Sequence, residues 1–382
     1  MRELPFLSVI VPAYQGGKVL PLSLGALARS DLPRSCWELI VVDDASTDDT
    51  AAIAARYADG VVRLPGKPHG PAYARNRGFE AARGAVAVFI DADVCVRPDT
   101  LRRFAWLFAE DSALGAVFGS YCDAPPAPGF ISQYRNLMHH YVHHQNPGPA
   151  ETFWAGCGAI RSSVFVECGM YDEWHYVRPQ IEDIELGQRI RAHGHSILLR
   201  PEIQGTHLKQ WTIKNVIVTD LHDRGVPWMR LIVEQGDKGN TSVLNVKAIE
   251  KINTALIWLS VLGLLVSVVT FDLRWAAASL LLILPVIYTN RRMYAFFARV
   301  RGAWFSLRVV PVHLLYYFLN GISALWGVFL HHAVGEPKPP AYVQAFAEVG
   351  VETWPPIPSK TPRGPWQQPV TPSRVRGEGR ET

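Results

Sequence analysis

The chain has 382 residues, and its 38 Lys and Arg against 34 Asp and Glu give a formal net charge of +4. A chain of this length holds two or three structural units at ~150 residues per domain. So small a charge, without a clustered basic face, predicts no nucleic-acid partner. The five cysteines are scattered and form no CxxC pair, which argues against a disulfide framework or a zinc knuckle and indicates a reduced, cytosol-facing chain.

Short β-rich runs alternate with helix-like stretches from residue 7 to about residue 120. The runs are LSVIVPA, WELIVVDD, GVVRLP, AVAVFIDAD and LGAVFGS. This alternation predicts an α/β fold with a doubly wound, mostly parallel sheet, and the almost continuous apolar runs suit strands that are covered on both faces. Ligands of such sheets bind beyond the carboxyl ends of the strands. We therefore expect Asp43 and Asp44 to share one crevice with Asp91 and Asp93.

The triplet Asp91-Ala92-Asp93 is a candidate metal site because it directly follows a strand. Alternation along the strand sends both carboxylates the same way, so that both can reach one hard cation and its diphosphate. Mg²⁺ or Mn²⁺ suits oxygen ligands of this kind. A strand-end turn with two solvated acids is the alternative, and the triplet alone does not decide between them.

Two further segments supply context for the triplet. VVDDAST ends the second strand with Asp43 and Asp44, and KPHGPAYARNRGFEAARG places Arg75 and Asn76 at the start of a helix. Backbone amides and guanidinium groups at a helix start suit an anionic diphosphate. The sequence thus predicts that Arg75 and Asn76 contribute to a phosphate-binding site.

Four segments in this order, SVIVPAYQ, VVDDAST, the ARNRG helix and FIDAD, resemble the family 2 glycosyltransferases of the A-type fold over roughly residues 6 to 235. The resemblance implies that the first strand's end and an acid of the second strand hold the nucleoside of a nucleotide-sugar donor. It also implies that the acids of FIDAD coordinate a metal on the sugar diphosphate. The donor-binding residues expected on these grounds are Pro12, Ala13, Tyr14, Asp43, Asp44, Arg75, Asn76 and Asp91, and the metal-binding residues are Asp91 and Asp93.

Two segments extend the resemblance into an acceptor half. FWAGCGAIRSSVFVECGMYDE resembles the family's glycine-containing acceptor segment, which implies an acceptor region that includes Trp154, Gly156, Cys157 and Gly158; a tight packing element is the alternative.

IEDIELGQRIRAHG resembles the ED motif of the family, whose members commonly transfer the sugar with inversion of configuration at the anomeric carbon. A carboxylate must take the proton of the attacking hydroxyl. We assign Asp183 as this base and Glu182 to the acceptor region; first-turn acids that complement a helix dipole are the alternative.

Histidines supply the remaining candidates. His207, in GTHLKQWT, is a possible third metal ligand of the kind found in A-type transferases, with a structural histidine as the alternative. His139, His140, His143 and His144 have a spacing that can bind zinc, but a polar helix surface is favoured because no carboxylate or cysteine accompanies them. The segment TDLHDRGVPW lacks the QxxRW signature of processive synthases, which leaves Arg224 and Trp228 without an assigned role.

Apolar stretches dominate the chain after residue 250. INTALIWLSVLGLLVSVVTF, at 252–271, meets the ~20-residue requirement for a spanning helix. A shorter stretch, WAAASLLLILPVIYT, and a third at 309–329 follow, which leaves two or three spans open. The connection between the last two carries five arginines, and basic short loops stay in the cytoplasm. We expect a multi-pass protein of the inner (cytoplasmic) membrane with its catalytic domain facing the cytoplasm, since MRELPFLSVIVPAY is also a poor signal peptide.

These features divide the chain into a nucleotide-sugar-binding half (1–120), an acceptor and catalytic half (121–210), interfacial helices (211–251), a transmembrane region (252–330) and a proline-rich tail (331–382). The function expected is that of an inverting glycosyltransferase that requires Mg²⁺ or Mn²⁺ and uses a lipid-linked or glycan acceptor at the membrane, in cell-envelope glycolipid or polysaccharide synthesis. A nucleotidyltransferase and a non-catalytic membrane scaffold of the same fold are the alternatives.

Overall fold

The structure is a computed structural model that describes residues 3–235 and 247–335. The tail predicted for residues 331–382 lies outside the described residues except for its first five positions, which belong to the end of the last helix.

One nine-stranded sheet forms the centre of the N-terminal domain. Its strands, in chain order, are β1 (Leu7–Ala13), β2 (Trp37–Asp43), β3 (Gly60–Arg63), β4 (Val86–Ile90), β5 (Val94–Val96), β6 (Leu114–Tyr121), β7 (Gly148–Pro149), β8 (Cys157–Arg161) and β9 (Ser196–His207). The spatial order is β3-β2-β1-β4-β8-β6-β9-β5, with β7 paired to β9. All five strands predicted before residue 120 are present.

The sheet is parallel in its first half and mixed in its second. Strands β3, β2, β1 and β4 are parallel to one another, whereas β8 is antiparallel to both β4 and β6. Strand β9 is parallel to β6 and antiparallel to β5. The expectation of a mostly parallel sheet therefore applies to the first four strands, because apolar patterning identifies a strand but does not give the direction in which it pairs.

Helices cover both faces of the sheet, as a doubly wound arrangement requires. They are α1 (Leu20–Ala28), α2 (Thr50–Ala54), α3 (Pro71–Ala81), α4 (Thr100–Glu110), α5 (Phe130–Gln145), α6 (Ser162–Glu167) and α7 (Glu182–Ala192). Val9 and Val11 of β1 face the core beneath α1 and α4, and Ile10 faces the core beneath α3 and α6. Successive strand residues point to opposite faces, so one continuous apolar run supplies two cores.

The C-terminal part is helical throughout its described length. It contains α8 (Ile213–Val218), a π-helical segment (Thr219–Gly225), α9 (Val226–Gln235), α10 (Ala248–Thr270), α11 (Leu273–Thr289), α12 (Arg291–Arg301) and α13 (Ala303–Val334). By length and composition α10 and α13 could cross a membrane, and α11 with α12, bent by 68°, could form a third span. The prediction of two or three candidate spans is confirmed.

The basic connection before the last apolar stretch is a helix, α12, and not a loop. Its apolar side packs Met293, Tyr294 and Phe297 against Tyr134 and Leu137 of α5. Arginines alternate with aromatic residues here at helical spacing, so one side of the helix is buried while the basic side stays exposed.

Candidate active site

The carboxyl ends of β1, β2 and β4 lie side by side and form the floor of a crevice. Ala13 pairs with Asp43 across the two strands, and the backbone N–H of Asp44 donates to the Ala13 carbonyl at 2.8 Å. Asp43 is buried, and its Oδ1 accepts the N–H of Ser46 at 3.1 Å. Parallel pairing thus brings the ends of the predicted donor-binding strands to one place, as their order along the chain suggested.

Tyr14 and Asp44 differ sharply in exposure. Tyr14, just past the end of β1, is 53% exposed, so its ring is free to stack against a planar ligand. Asp44 is buried, and its carboxylate accepts the backbone N–H groups of His69 at 2.9 Å and Gly70 at 2.8 Å. Asp44 therefore fixes the loop before α3. Pro12, half-buried in β1, supports the turn that presents Tyr14.

Arg75 joins the two acidic segments of the crevice. Its Nη2 lies 2.8 Å from Asp91 Oδ1, and its Nη1 lies 3.0 Å from Glu182 Oε1. The side chain is buried, and these two carboxylates together hold the pKa of the guanidinium above its ordinary value against the effect of burial. Arg75 therefore lies between the segments that carry Asp91 and Glu182, with two of its nitrogens already bonded to protein.

Asn76 does not face the crevice, in contrast to the expectation from the sequence. Its side chain is fully buried, donates to the Tyr171 carbonyl at 2.9 Å and to Glu173 Oε2 at 2.8 Å, and accepts the N–H of Tyr171 at 3.1 Å. Residues one position apart on a helix point in different directions. Asn76 consequently binds α3 to the segment before α7, and a donor contact by its amide is not supported.

Asp93 and His207 form the second half of the candidate metal site. His207 Nε2 lies 3.4 Å from Asp93 Oδ2, and its Nδ1 lies 2.7 Å from Asn136 Oδ1. Asn136 Nδ2 donates to the Lys209 carbonyl at 3.3 Å, so the oxygen of its amide faces the imidazole. Nδ1–H of His207 therefore donates to Asn136, and Nε2 faces the carboxylate of Asp93.

These groups fit a divalent cation that is completed by other ligands. Among the described residues, no three His, Cys, Asp or Glu side chains form a ready cation cage. Asp91 and Asp93 are each about one-third exposed, so their free oxygens can be reached from the crevice. Mg²⁺ sites of this kind use one or two carboxylates and take their remaining ligands from water and substrate phosphates. Asp91 and Asp93, with Nε2 of His207, have the required chemistry.

The predicted acceptor segment separates into one available side chain and three packing residues. Trp154 is half-buried, with its ring edge-on to Tyr121 at 4.7 Å. A Cβ on Gly156 would collide with the Trp154 ring, and one on Gly158 with the Trp154 carbonyl, so both positions require glycine. Cys157 lies in β8 opposite Ile90 and is fully buried, and burial raises the pKa of its thiol to about 12. Contact between Cys157 and an acceptor is not supported.

Asp183 has the environment of a general base. It lies in the first turn of α7, and its Oδ2 accepts the N–H of Ala155 at 3.3 Å. Burial, and next the neighbouring charge of Glu182, raise the pKa of Asp183 to about 7, although Arg75 and Arg224 oppose the rise. A base is most effective when its pKa is near the working pH. The carboxylate is therefore poised to exchange a proton near neutrality.

Glu182 has no carboxylate oxygen left for an acceptor. Its Oε1 binds Arg75, and its Oε2 accepts the N–H of Gln180 at 2.9 Å. The side chain is buried. Glu182 therefore orients Arg75 and raises the pKa of Asp183, and the structure does not support its placement in direct contact with an acceptor.

The four histidines of α5 are packed and do not form the predicted polar surface. His140 Nδ1 bonds to the Tyr121 carbonyl at 2.8 Å, and His143 packs against Trp154 with 5.1 Å between ring centroids. His139 Nε2 lies 3.3 Å from Nη1 of Arg224, and burial lowers the pKa of His139 well below its ordinary value. Burial also lowers the pKa of His140 and of His143, so His139, His140 and His143 pack beside Tyr121 and Trp154 as neutral groups.

Two residues near the crevice were left without a firm role by the sequence. Arg224, in the π-helical segment, lies near enough to lower the pKa of Asp183, and the exposed Lys209 lies near enough for its charge to act on Asp93. Tyr121 stacks on His207 with ring centroids 4.3 Å apart. Asn136, a polar residue in the middle of the otherwise packed helix α5, is the feature of the sequence that could have indicated this side of the site.

Comparison with known proteins agrees with this arrangement. Residues 8–169 match the model of glycosyl transferase family 2. The chain is 36% identical over 99 residues to the poly(ribitol-phosphate) beta-N-acetylglucosaminyltransferase TarS of Staphylococcus aureus, which is 25% of this chain and 17% of TarS. It is 38% identical over 104 residues to the succinoglycan biosynthesis protein ExoO of Rhizobium meliloti, which is 26% of this chain and 29% of ExoO. The chain thus spans less than a third of either relative.

The fold extends further than these sequence matches. The structure of the mannosyltransferase PcManGT from Pyrobaculum calidifontis, in complex with GDP-Man and Mn²⁺, superposes with a TM-score of 0.55 at 19% identity, over 85% of this chain and 88% of that one. A likeness at this identity establishes the fold. Residues 8–169 therefore form a family 2 glycosyltransferase domain, and the fold is that of the A-type glycosyltransferases.

Proposed function

We propose that the chain is an inverting, metal-dependent glycosyltransferase that moves a sugar from a nucleoside-diphosphate donor to a lipid-linked or glycan acceptor at a membrane. The observation that carries the proposal is the position of Arg75, which binds Asp91 on one side and Glu182 on the other, with Asp183 near enough to act on its charge. Acids on two sides of one crevice suit a reaction with a departing diphosphate on one side and a proton to be removed on the other. The names of TarS and ExoO favour cell-envelope glycolipid or polysaccharide synthesis.

The donor side of the crevice supplies an aromatic surface, an acid and two cations. Tyr14 would stack on the nucleobase, and Asp43 at the end of β2 would accept hydrogen bonds from the nucleoside. Lys209 and Arg224, with no carboxylate ion pair among the described residues, would contact the diphosphate oxygens. Lys209 and Arg224 thus replace Arg75 and Asn76 as the proposed phosphate-binding residues, because the side-chain polar groups of Arg75 and Asn76 are bonded within the protein.

Asp91, Asp93 and His207 would hold the divalent cation. When bound, Mg²⁺ or Mn²⁺ stabilises the negative charge that develops on the leaving diphosphate. Asn136 fixes the tautomer and orientation of His207, as outer-shell partners of metal-binding histidines do. Arg75 holds Asp91 in place through one of its oxygens.

The chemical step is a single displacement. Asp183 accepts the proton of an acceptor hydroxyl as its oxygen forms a bond to the anomeric carbon. The bond from that carbon to the donor phosphate breaks, and its electron pair leaves with the nucleoside diphosphate. Attack from the side opposite the leaving group inverts the anomeric configuration. Trp154, half-buried beside Asp183's segment, would support the acceptor.

The same proposal divides the chain by task and places it at the inner membrane. Residues 1–120 bind the donor, and 121–210 bind the acceptor and carry the base. Of the predicted interfacial segment 211–251, residues 236–246 lie outside the described residues; the remainder lies at the membrane surface, and 252–330 include the membrane-embedded helices. The exposed arginines of α12, which packs on the catalytic domain, favour a cytoplasmic location for that domain. Its acceptor would then be presented at the inner leaflet.

The test is a donor panel with the purified full chain in detergent. UDP-, GDP- and dTDP-sugars are supplied with membrane lipid extract, and release of nucleoside diphosphate is followed with EDTA, Mg²⁺ or Mn²⁺. We expect release from one donor class that requires metal and is lost in Asp93→Asn. Release of pyrophosphate would identify a nucleotidyltransferase, and failure with every donor would favour a non-catalytic scaffold.

A further inference from the structure

The direction of α13 in its first half follows from its packing on α12. Helix α12 is bent by 68° from α11. Near the turn between α12 and α13, the rings of Phe297 and Phe305 lie 5.9 Å apart; farther along, Ser306 Oγ donates to the Tyr294 carbonyl at 2.8 Å. Just before the start of α12, Asn290 Nδ2 donates to the Tyr317 hydroxyl at 3.1 Å. The first half of α13 therefore runs back along α12, at a large angle to α11.

The second half of α13 lies alongside the π-helical segment and α9. A Cβ on Gly225 would collide with Ser323, and one on Gly327 would collide with Met229. At the far end, Arg230 Nη2 donates to the Gly335 carbonyl at 2.6 Å. Contacts that advance in step along both helices show that α13 and α9 run in the same direction.

Both ends of α13 are held to the catalytic domain. At its start, the Phe305 ring lies 5.0 Å from that of Phe130 in α5. At its end, α9 intervenes, and Trp228 and Leu231 of α9 pack in a cluster with Ile181 of the catalytic domain. A helix of 32 residues is roughly 48 Å long. Since the hydrocarbon core is ~30 Å thick, a crossing α13 would carry Gly335 to the opposite face of the bilayer.

Helices α10 and α11, in contrast to α13, are held to the rest of the described protein at one end only. The contacts of this pair with α13 lie at its base, where Asn253 Nδ2 donates to the Tyr317 hydroxyl at 3.1 Å and Trp258 Nε1 donates to the Phe318 carbonyl at 3.2 Å. Beyond that level the two helices pack on each other and expose apolar side chains, which include Leu262, Leu265, Val268, Val269, Leu280 and Leu281. This hairpin projects from the protein with a surface that suits lipid.

We propose that α13 lies in the plane of the membrane and does not cross it, so that the α10–α11 hairpin alone crosses and Gly335 stays on the side of the catalytic domain. The exposed side of α13 fits the boundary between headgroups and acyl chains, because Trp304, Leu307, Trp326 and Phe329 are exposed along it. Tryptophan is enriched at that boundary. Composition makes α13 a candidate span; its contacts with α9 and α12 decide its orientation.

The test compares two single-cysteine additions to the full chain in intact cells whose outer membrane is permeabilised. Arg274→Cys places a thiol at the hairpin tip, where the native side chain is 91% exposed. The second variant adds one cysteine after Thr382. A membrane-impermeant maleimide should label Arg274→Cys in intact cells. It should label the C-terminal cysteine only after the inner membrane is lysed.

The native chain is the matched control, because its five cysteines lie in the catalytic domain and report that side of the membrane. Labelling of both added cysteines in intact cells, with the native chain unlabelled, would show that α13 crosses and would overturn the proposal. Protection of Arg274→Cys in intact cells would also overturn it, since the hairpin would then not cross. Both readouts are independent of donor, metal and catalytic activity.

Discussion

Asp183 lies between groups with opposing effects on its pKa. Burial and the charge of Glu182 raise the pKa to about 7, while Arg75 and Arg224 act in the other direction. The base acts as the carboxylate, so its active form dominates above this pKa and is lost as the pH falls through it. The two opposing arginines lie 108 and 41 positions away in sequence, and the ED motif alone does not reveal their effect.

We expect kcat/KM to fall about tenfold per pH unit below pH 7, because the protonated fraction of Asp183 rises in that range. Asp183→Asn should lower kcat by roughly 10² to 10⁴, the usual contribution of a general base. Nucleoside diphosphate release across pH 5.5–9 measures both effects. Glu167→Gln, at an exposed acid paired with His195, is the control and should retain the wild-type profile. An unchanged acidic limb in Asp183→Asn would show that another group titrates.

Arg75 supplies the positive charge that makes its acidic neighbourhood stable. It is buried with Glu182, and Asp91 is partly buried on its other side. Removal of one partner from a buried ion pair leaves the other charge uncompensated, which costs about 3–5 kcal/mol. The ARNRG motif indicated a basic residue at this place, but only the contacts show that it serves two carboxylates.

Arg75→Met should therefore lower the free energy of unfolding at pH 8 by about 3 kcal/mol. Urea denaturation of the variant and of the native chain measures the difference. Arg75→Lys keeps the charge with a single ammonium group and should lose less. Equal losses for Met and Lys would indicate that packing of the side chain, and not its charge, is what matters.

At the scale of elements, helix α7 is positioned by a close approach of two backbones. Gly187 lies one turn after Asp183, and a Cβ there would collide with the backbone of Thr152 and Phe153. Because Gly187 has no Cβ, α7 can approach the acceptor segment closely enough for the Ala155 N–H to reach Asp183. The position of the base thus depends on a glycine whose role is not evident from the motif.

Gly187→Ala should displace α7 from the acceptor segment and lower kcat by at least tenfold, since ångström-scale misplacement of a catalytic group costs on the order of 10²-fold. Steady-state kinetics with the active donor provides the measurement. Gly25→Ala is the matched control: it also lies inside a helix, but its Cβ would meet only the end of the Arg29 side chain. It should be neutral or slightly stabilising, because alanine is favoured in helices. Equal effects of the two substitutions would contradict this account.

At the scale of the whole molecule, Tyr317 connects the membrane hairpin to the interfacial helices. Its hydroxyl accepts from Asn253 and Asn290, each at 3.1 Å, and donates to Glu250 Oε2 at 2.9 Å. These partners come from α10 and from the junction of α11 with α12. One hydroxyl of α13 therefore satisfies three polar groups at the base of the hairpin.

Tyr317→Phe should lower the free energy of unfolding by about 1–3 kcal/mol, because it leaves buried polar groups without their partner. A fall in Tm in detergent, with the wild-type distribution between membrane and soluble fractions retained, is the expected result. Tyr288→Phe is the control, since Tyr288 is 65% exposed. A Tm equal to wild type in Tyr317→Phe would mean that water replaces the hydroxyl at this junction.

Features carried by contiguous residues were determined by the sequence. The five strands before residue 120, the crevice at their carboxyl ends and the apolar helices after residue 250 each follow from a local pattern of side chains. Parallel pairing of the first strands then places Asp43 and Asp91 together, because consecutive βαβ units bring strand ends to one edge. The family match and the fold confirm the predicted resemblance and the fold class.

Features that depend on which distant groups meet were decided by the tertiary structure. Three features join segments that are far apart in sequence: the hydrogen bonds of Asn76 to Tyr171, the burial of Cys157 against β4 and the antiparallel pairing of β8 with β4. The orientation of α13 is of the same kind: an apolar helix satisfies its own backbone whether it crosses a bilayer or lies on it. Its sequence therefore permits both orientations, and contacts at its two ends select one.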